Sequence, residues 1–453
     1  MLSYPVRIAL IAALGGFLFG FETVVISGAE QTLEKIWSLD SFWHGFTVSS
    51  SLLGTIAGSL LAGVPAQLYG RKKTLQVVSI FFIVAAVGCA SVSAWILFIF
   101  FRIVGGLAVG ASSVIAPMYI SEIAPAGLRG RLAGSFQLNI VAGIFIAYLT
   151  NFAFSDIGPD AWRWMLGVMI IPAVLFWVLL LRIPESPRWL ILNRREGEAV
   201  PVLGRLGETD IAGATAVIKA SVLDHDRRES LFQSRYFKPI LYAVLLAMFN
   251  QLSGINAILY YAPRIFEMAG FDQKQAYLQP VYIGAANLLF TLLAMTVIDR
   301  FGRKRLLIIG SFGMIVFLGL TALFFREHAG DAAAAAVAGA PVESNKFVLL
   351  YLIGFIAFFA FSQGAVIWVF ISEIFPNSVR SQGGALGSFT HWIMAAIISW
   401  TFPVIVEGNK EGGYHSFLFY SVMMLLHLLF VWRMLPETKG RTLEEIQKDL
   451  GIR

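Results

Sequence analysis

The chain has 453 residues, 57% hydrophobic and only 14% charged, with a mean hydropathy of +0.74. Ordinary soluble domains carry about a quarter charged residues, so this composition excludes one. The formal net charge is +6, but the basic residues fall in alternate gaps between apolar blocks, which excludes a nucleic-acid surface and marks topology instead.

The first apolar block covers residues 8–28. It is preceded by one early Arg and followed by no small-residue cleavage pattern, so it is predicted as a retained first helix and not a cleaved signal. Further blocks follow at 45–66, 77–101, 103–120, 132–153 and 164–181. Each approaches the roughly 20 residues needed to cross a bilayer core. None alternates with period two, so a barrel is excluded and helix is the form that satisfies the backbone in lipid.

Residues 183–238 are polar and charged. Their helix-compatible stretches at 195–206 and 211–224 predict a small cytoplasmic helical bundle. Apolar blocks resume at 239–262, 280–298 and 305–325. The low-complexity segment 326–346 then predicts a mobile outward loop. Blocks at 347–371, 383–406 and 416–435 complete about twelve spans before a tail at 436–453.

Lys and Arg collect after the second block (Arg71, Lys72, Lys73), the fourth (Arg129, Arg131), in the central gap, after the eighth (Arg300, Arg303, Lys304, Arg305) and the tenth (Arg380), and in the tail. This positive-inside pattern predicts cytoplasmic termini. The single cysteine, Cys89, rules out an intramolecular disulfide. Short outward gaps without an N-x-S/T acceptor fit a bacterial inner membrane.

The second half echoes the first. GRKK at 70–73 answers GRKR at 302–305, SEIAP at 121–125 answers SEIFP at 372–376, and PESPRW at 184–189 answers PETKGR at 436–441. Three echoes in one order predict two six-helix bundles, 1–182 and 239–435, joined by the linker 183–238. Such repeats are a common build for secondary transporters with a midplane site.

These strings, with NQLSGINAILYY at 250–261, resemble the signatures of the sugar porter family of the major facilitator superfamily. The resemblance covers nearly the whole chain and extends to bacterial proton-coupled monosaccharide symporters. It implies an all-α major facilitator fold. One departure is visible: Gln67 and Leu68 stand where the family has an acidic-basic pair, which Asp299 and Arg300 keep in the second half. A weaker first-half cytoplasmic latch is expected from this.

A sugar needs amides that donate and accept, together with aromatic faces. The spans offer Gln137, Asn250, Gln251, Asn256, Asn287, Trp368, His391 and Trp392, with Phe19, Phe358 and Phe359 as apolar walls. Gln251 and Asn256 differ in direction by about 140° on an ideal helix, so they share a site only if the helix breaks near Gly254. By resemblance Gln137, Gln251, Asn256, Asn287 and Trp368 match sugar-contacting positions. Asn250 and His391 depart from the usual residues there, leaving the substrate open. For each amide alone, helix-to-helix hydrogen bonding is the competing role.

Glu22 lies mid-span in the first block, where an ionised carboxylate must be paired or protonated. Its natural partner is Arg102, and the resemblance assigns this pair to proton coupling. The competing role is a static ion pair fixing helix packing. By the same resemblance Arg71, Glu122, Arg129, Glu185, Arg303, Glu373, Arg380 and Glu437 form a cytoplasmic gate of salt bridges, alongside their role as topology anchors.

The expectation is a proton-coupled symporter of a monosaccharide, working by alternating access as a monomer. A passive facilitator, a polyol transporter, a sugar receptor and a drug exporter are the alternatives. The short tail weighs against the receptor, and the amide set against the exporter. No nucleotide loop, metal-ligand cluster or nucleophile triad stands in a recognisable spacing, so no enzyme, cofactor or metal is expected.

Overall fold

The computed structural model describes residues 3–223, 229–328, 346–376, 378–409, 411–441, 443–450 and 452, with the backbone alone at 126, 129, 220–223, 299, 443 and 444. Most of the predicted loop 326–346 and the side chains of Arg129 and Asp299 lie outside the described residues. Among the described residues, eleven helices are long and apolar enough to cross a membrane. A twelfth is counted when the pair Ser41–Leu61 and Gly63–Tyr69, bent by 46°, is taken as one span.

The first spans are α1 (Tyr4–Val25), a short α2 (Glu30–Trp37), the bent pair α3 (Ser41–Leu61) and α4 (Gly63–Tyr69), α5 (Arg71–Ser91) and α6 (Trp95–Ile123). They continue with α7 (Arg129–Phe154), α8 (Ala161–Gly167) and α9 (Ile170–Leu181), of which α8 and α9 make one span. The predicted boundary between the third and fourth spans needs correction. Blocks 77–101 and 103–120 place it at Arg102, but the chain turns at Val92–Ala94, where Val92 (ψ 149°) and Ala94 (ψ 127°) are extended. A charge inside lipid marks a helix end only when it has no partner, and Arg102 has one.

The central segment carries α10 (Pro187–Leu192), α11 (Glu196–Leu206) and α12 (Ile211–Leu223). Ser186 caps α10 by accepting from Trp189 N at 3.2 Å, ahead of Pro187 at the first turn. Trp189, Leu190, Ile191, Ala199 and Leu203 form its small core, with Val202, Ile211 and Ile218 packed against it.

The seventh span is broken twice, into α13 (Phe237–Leu252), α14 (Ile255–Tyr260) and α15 (Ala262–Met268). Then come α16 (Gln273–Phe301), α17 (Arg303–Glu327), α18 (Lys346–Phe361) with α19 (Gln363–Ile374), α20 (Arg380–Glu407), α21 (Gly412–Met434) and the tail helix α22 (Leu443–Leu450). A single irregular residue, Ser362 (φ −120°, ψ −90°), separates α18 from α19.

The repeated Gly-Arg strings have a shared local cause. Gly70 (φ 95°) and Gly302 (φ 90°) each precede a helix start, in a backbone region that only glycine enters freely. Glu185 accepts from Arg71 N at 2.9 Å and Lys72 N at 3.1 Å, and Glu437 accepts from Arg303 N at 2.9 Å. A carboxylate on the free amides of a helix N-terminus meets the positive end of the helix dipole. The PESPRW and PETKGR echoes supply these carboxylates.

By its contacts the chain divides into two compact units. One holds Met1–Thr23, Ser51–Ile144 and Leu166–Glu229, the other Val24–Ser50, Phe145–Met165 and Ser230–Arg453. The division cuts α1, α3, α7 and α8, leaving their far ends in the second unit.

Candidate functional site

In the first unit, Glu22 is 4% exposed and Arg102 fully buried. Arg102 Nη1 donates to Glu22 Oε1 at 2.5 Å, and its Nη2 donates to Ser51 Oγ at 2.9 Å. Ser51 reaches this point because α3 and α6 touch backbone to backbone. A Cβ on Gly106 would lie 1.8 Å from Ser51 O, one on Gly110 2.1 Å from Thr55 O, and one on Gly54 2.1 Å from Ile103 O. Helices in lipid gain little from burying apolar surface against each other, so small residues that permit close approach carry the packing. Gly105 leaves room for the carboxylate itself. The pair is therefore held between closely packed helices, where removing either partner strands a buried charge.

Gln137 and Phe19 lie half-buried in the same unit, on α7 and α1. Cys89 is a buried free thiol.

In the second unit the break at Gly254 shapes a polar cluster. Gly254 is left-handed (φ 81°), and a Cβ there would come 2.3 Å from the Tyr420 ring. Ser253 Oγ turns back to Asn250 O at 2.6 Å. Gln251 Nε2 donates to Asn250 Oδ1 at 3.0 Å and lies 3.1 Å from His391 Nε2. The His391 ring is flanked by Trp368 at 5.0 Å and Trp392 at 4.9 Å. Gln251 Oε1 is buried and accepts no hydrogen bond from a described protein group. Trp368 is 38% exposed while Trp392 is buried.

The structure thus joins Asn250, Gln251, His391, Trp368 and Trp392 by direct contacts. Asn256 and Asn287 are buried on α14 and α16. Phe358 packs on the ninth span, where a Cβ on Gly313 would meet its ring at 2.1 Å and Phe317 lies 5.8 Å away. The Phe359 ring lies 6.1 Å from that of Phe355, tilted by 32°.

The charged residues at the Gly-Arg ends pair inside each unit. Arg71 Nε and Nη2 bind the two oxygens of Glu122, both at 2.9 Å. In the second unit Arg303 Nη2 meets Glu373 Oε1 at 3.1 Å, and Thr438 Oγ1 donates to Glu373 Oε2 at 2.6 Å. Arg380 Nε donates to Phe375 O at 3.3 Å. At Gln67, standing where an acid was expected, the backbone carbonyl accepts from Trp189 Nε1 at 2.7 Å.

Sequence reasoning missed a second charged cluster, wholly inside the second unit. Arg264 of α15 reaches Glu30 Oε2 at 3.2 Å and also pairs with Glu34 and Glu407. His44 Nε2 lies 2.7 Å from the same Glu30 oxygen, and Ser41 Oγ donates to Glu407. Glu30 and His44, polar residues buried between two apolar blocks, were the available signal. A buried group of Ser311, His427 and Gln363, with Ser311 Oγ 2.7 Å from His427 Nδ1, was also missed.

The family model described as "Sugar (and other) transporter" matches residues 8–450. The chain is 36% identical to the D-xylose-proton symporter of Escherichia coli (strain K12), covering 98% of this chain and 95% of that protein. It is 37% identical to the glucose transport protein of Synechocystis sp., over 98% and 97%, and 34% identical to the arabinose-proton symporter of Bacillus subtilis, over 99% and 95%. A partially occluded, inward-open structure of the xylose transporter XylE from E. coli superposes with a TM-score of 0.83 at 35% identity, over 97% of this chain and 99% of that one. The fold is that of the major facilitator superfamily.

Proposed function

The chain belongs to the sugar (and other) transporter family, and on that footing we propose that it carries a monosaccharide, a hexose or pentose, inward together with a proton by alternating access. The observation that carries this reading is the buried contact of Glu22 with Arg102. A passive carrier has no need of an ionisable pair in lipid, which is costly to keep. Burial favours the neutral carboxyl and the guanidinium favours the charged one. Movement of Arg102 relative to Glu22 during the cycle changes the proton affinity, so a proton taken from outside is released inside.

Sugar contacts fall to Gln137, Asn250, Gln251, Asn256, Asn287, Trp368, His391, Trp392 and Phe19. The Asn250 and Gln251 amides and the indoles flanking His391 supply the polar edge and apolar face that a sugar ring needs. Asn250 and His391, which depart from the usual residues at their positions, bear on which sugar is carried. Arg71, Glu122, Arg129, Glu185, Arg303, Glu373, Arg380 and Glu437 serve as the cytoplasmic gate, exchanging partners as the cycle turns. We read residues 1–182 and 239–435 as the two six-helix bundles, 183–238 as the cytoplasmic linker and 436–453 as the tail. Both termini face the cytoplasm of an inner membrane, and the monomer is the working unit.

The test is uptake of radiolabelled D-xylose, L-arabinose, D-glucose and D-galactose into proteoliposomes, with and without an inward proton gradient. Accumulation above equilibrium that a protonophore abolishes is the expected result. Equilibration that ignores the gradient makes the protein a facilitator and Glu22 a structural acid. With inositol added to the panel, transport of it alone makes the protein a polyol carrier.

A further inference from the structure

The charged cluster around Glu30 is not part of the transport site, and it joins segments from both halves of the sequence. Glu30 opens α2 and Glu34 lies one turn on; His44 is in the first turn of α3; Arg264 is on α15; Glu407 ends α20. Glu30 is 1% exposed and His44 1%. Three carboxylates thus meet one guanidinium and one imidazole, with Glu30 and His44 closed to water and Glu34 and Glu407 at the edge, in reach of solvent. Arg264 Nε and Nη2 both point at Glu30, at 3.3 and 3.2 Å, and the guanidinium also reaches Glu34 and Glu407. One arginine therefore bridges the end of α20 to both turns of α2.

The surrounding contacts join the same segments. A Cβ on Gly45 would lie 2.1 Å from Trp400 O, so α3 and α20 touch backbone to backbone. Trp400 Nε1 donates to Phe42 O at 3.0 Å, and Tyr277 OH donates to Gly28 O at 2.8 Å. The donor atoms of Glu30, Glu34 and His44 lie within 4.8 Å of one another, as metal ligands do. Arg264 already stands between the two carboxylates, which argues for an ion-pair network in place of a cation site.

We infer that Glu30, Glu34, His44, Arg264 and Glu407 form an outer clasp that closes the extracellular ends of α1–α3 onto α15 and α20, and whose opening admits the outward-facing state. The inference rests on the alternating-access reading and adds the element that sets its equilibrium. An ion network with a buried member has two stable conditions, closed with the carboxylates gathered on Arg264 and His44 or open with the charges hydrated. Intermediate separations leave Glu30 buried and unpaired. The clasp is therefore a two-state element, and weakening it shifts the population towards outward-open.

The test uses the fact that Cys89 is the sole cysteine. In a Cys89→Ser background, Ala29→Cys places a reporter beside Glu30 at a fully buried position. Its labelling by a membrane-impermeant maleimide is followed from outside, in right-side-out vesicles without sugar. Glu30→Gln and Arg264→Gln are expected to speed labelling by at least about tenfold, a shift typical of a biased two-state equilibrium. The double variant is expected to be no faster than the faster single one. Unchanged rates in both single variants overturn the clasp, as does a double variant whose effects multiply. If the Glu30 variant fails to reach the membrane, Glu407→Gln substitutes on the opposite segment, and an unchanged rate there overturns the proposal equally. Because no sugar is present, faster labelling persists even where the uptake assay rejects the assigned substrate or the proton coupling.

Discussion

Gly105 makes the space that the Glu22 carboxylate occupies: a Cβ on it would lie 2.9 Å from Glu22 Oε1. The glycine sits one turn beyond Arg102 on α6, so one helix supplies both the partner charge and the room for the acid. Gly105→Ala is expected to push the carboxylate off Arg102. Overpacking of this kind costs about 1–3 kcal/mol. Proton-driven accumulation should fall more than sugar exchange does, measured side by side in proteoliposomes.

Glu22→Gln keeps the shape and removes the titrating group. Accumulation of the transported sugar should fall to its equilibrium level. Counterflow exchange should stay within about threefold, well under the tenfold that 1.4 kcal/mol represents. Concentrative uptake surviving the change would remove Glu22 from the coupling.

Arg102→Leu leaves a buried carboxylate without its partner, and breaking a buried pair in this way typically costs about 3–5 kcal/mol. A clear drop in melting temperature in detergent is expected. Glu22→Leu combined with Arg102→Leu should recover most of it, since the stranded charge is gone. Equal melting temperatures for the single and double variants would mean the pair does not hold these helices.

Gly254→Ala asks an L residue to hold φ 81° and to share space with the Tyr420 ring. The left-handed backbone alone costs about 1–2 kcal/mol. The strain falls between Gln251 and Asn256, so sugar affinity should weaken at least about tenfold. Binding of the transported sugar by tryptophan fluorescence reads this directly, with Trp368 and Trp392 beside His391.

Glu185→Ala and Glu437→Ala should be matched lesions. Each strips the carboxylate from the start of an equivalent helix, α5 in one case and α17 in the other. Loss of a helix N-cap costs about 0.5–2 kcal/mol. The two melting temperatures should fall by similar amounts, whereas a large asymmetry would show that the sequence echo hides unlike roles.

Much of the fold was legible because lipid permits few alternatives. Twelve apolar blocks with charge in alternate gaps lead to spans, and Gly254 between two amides marks the break in the seventh. The turn at Val92–Ala94 was illegible because it carries no Gly, Pro or charge, whereas Arg102 nearby looks like a boundary. Pairing decides that case, and pairing is a tertiary fact. The same holds for Ser51, an ordinary hydroxyl until Gly106 brings α3 against α6. The Glu30 cluster escaped because its five members are scattered from residue 30 to residue 407 and only the fold assembles them. Phe358 packs on Gly313 and Phe317, a contact that the sequence does not give because it shows the span but not the face.

The acids that cap α5 and α17 sit at the trailing edge of their respective repeats: Glu185 comes 114 residues after Arg71, and Glu437 comes 134 after Arg303. During synthesis the Gly-Arg turn is made first, and four further spans separate it from its carboxylate. Only then does the closing carboxylate leave the ribosome. Each repeat so carries its own closing carboxylate, and the Gly-Arg end of the earlier one can lock while the later one is still being translated, in keeping with N-terminal units folding first. A truncation ending just short of Glu185 would leave that lock unmade, and one ending just beyond it would not.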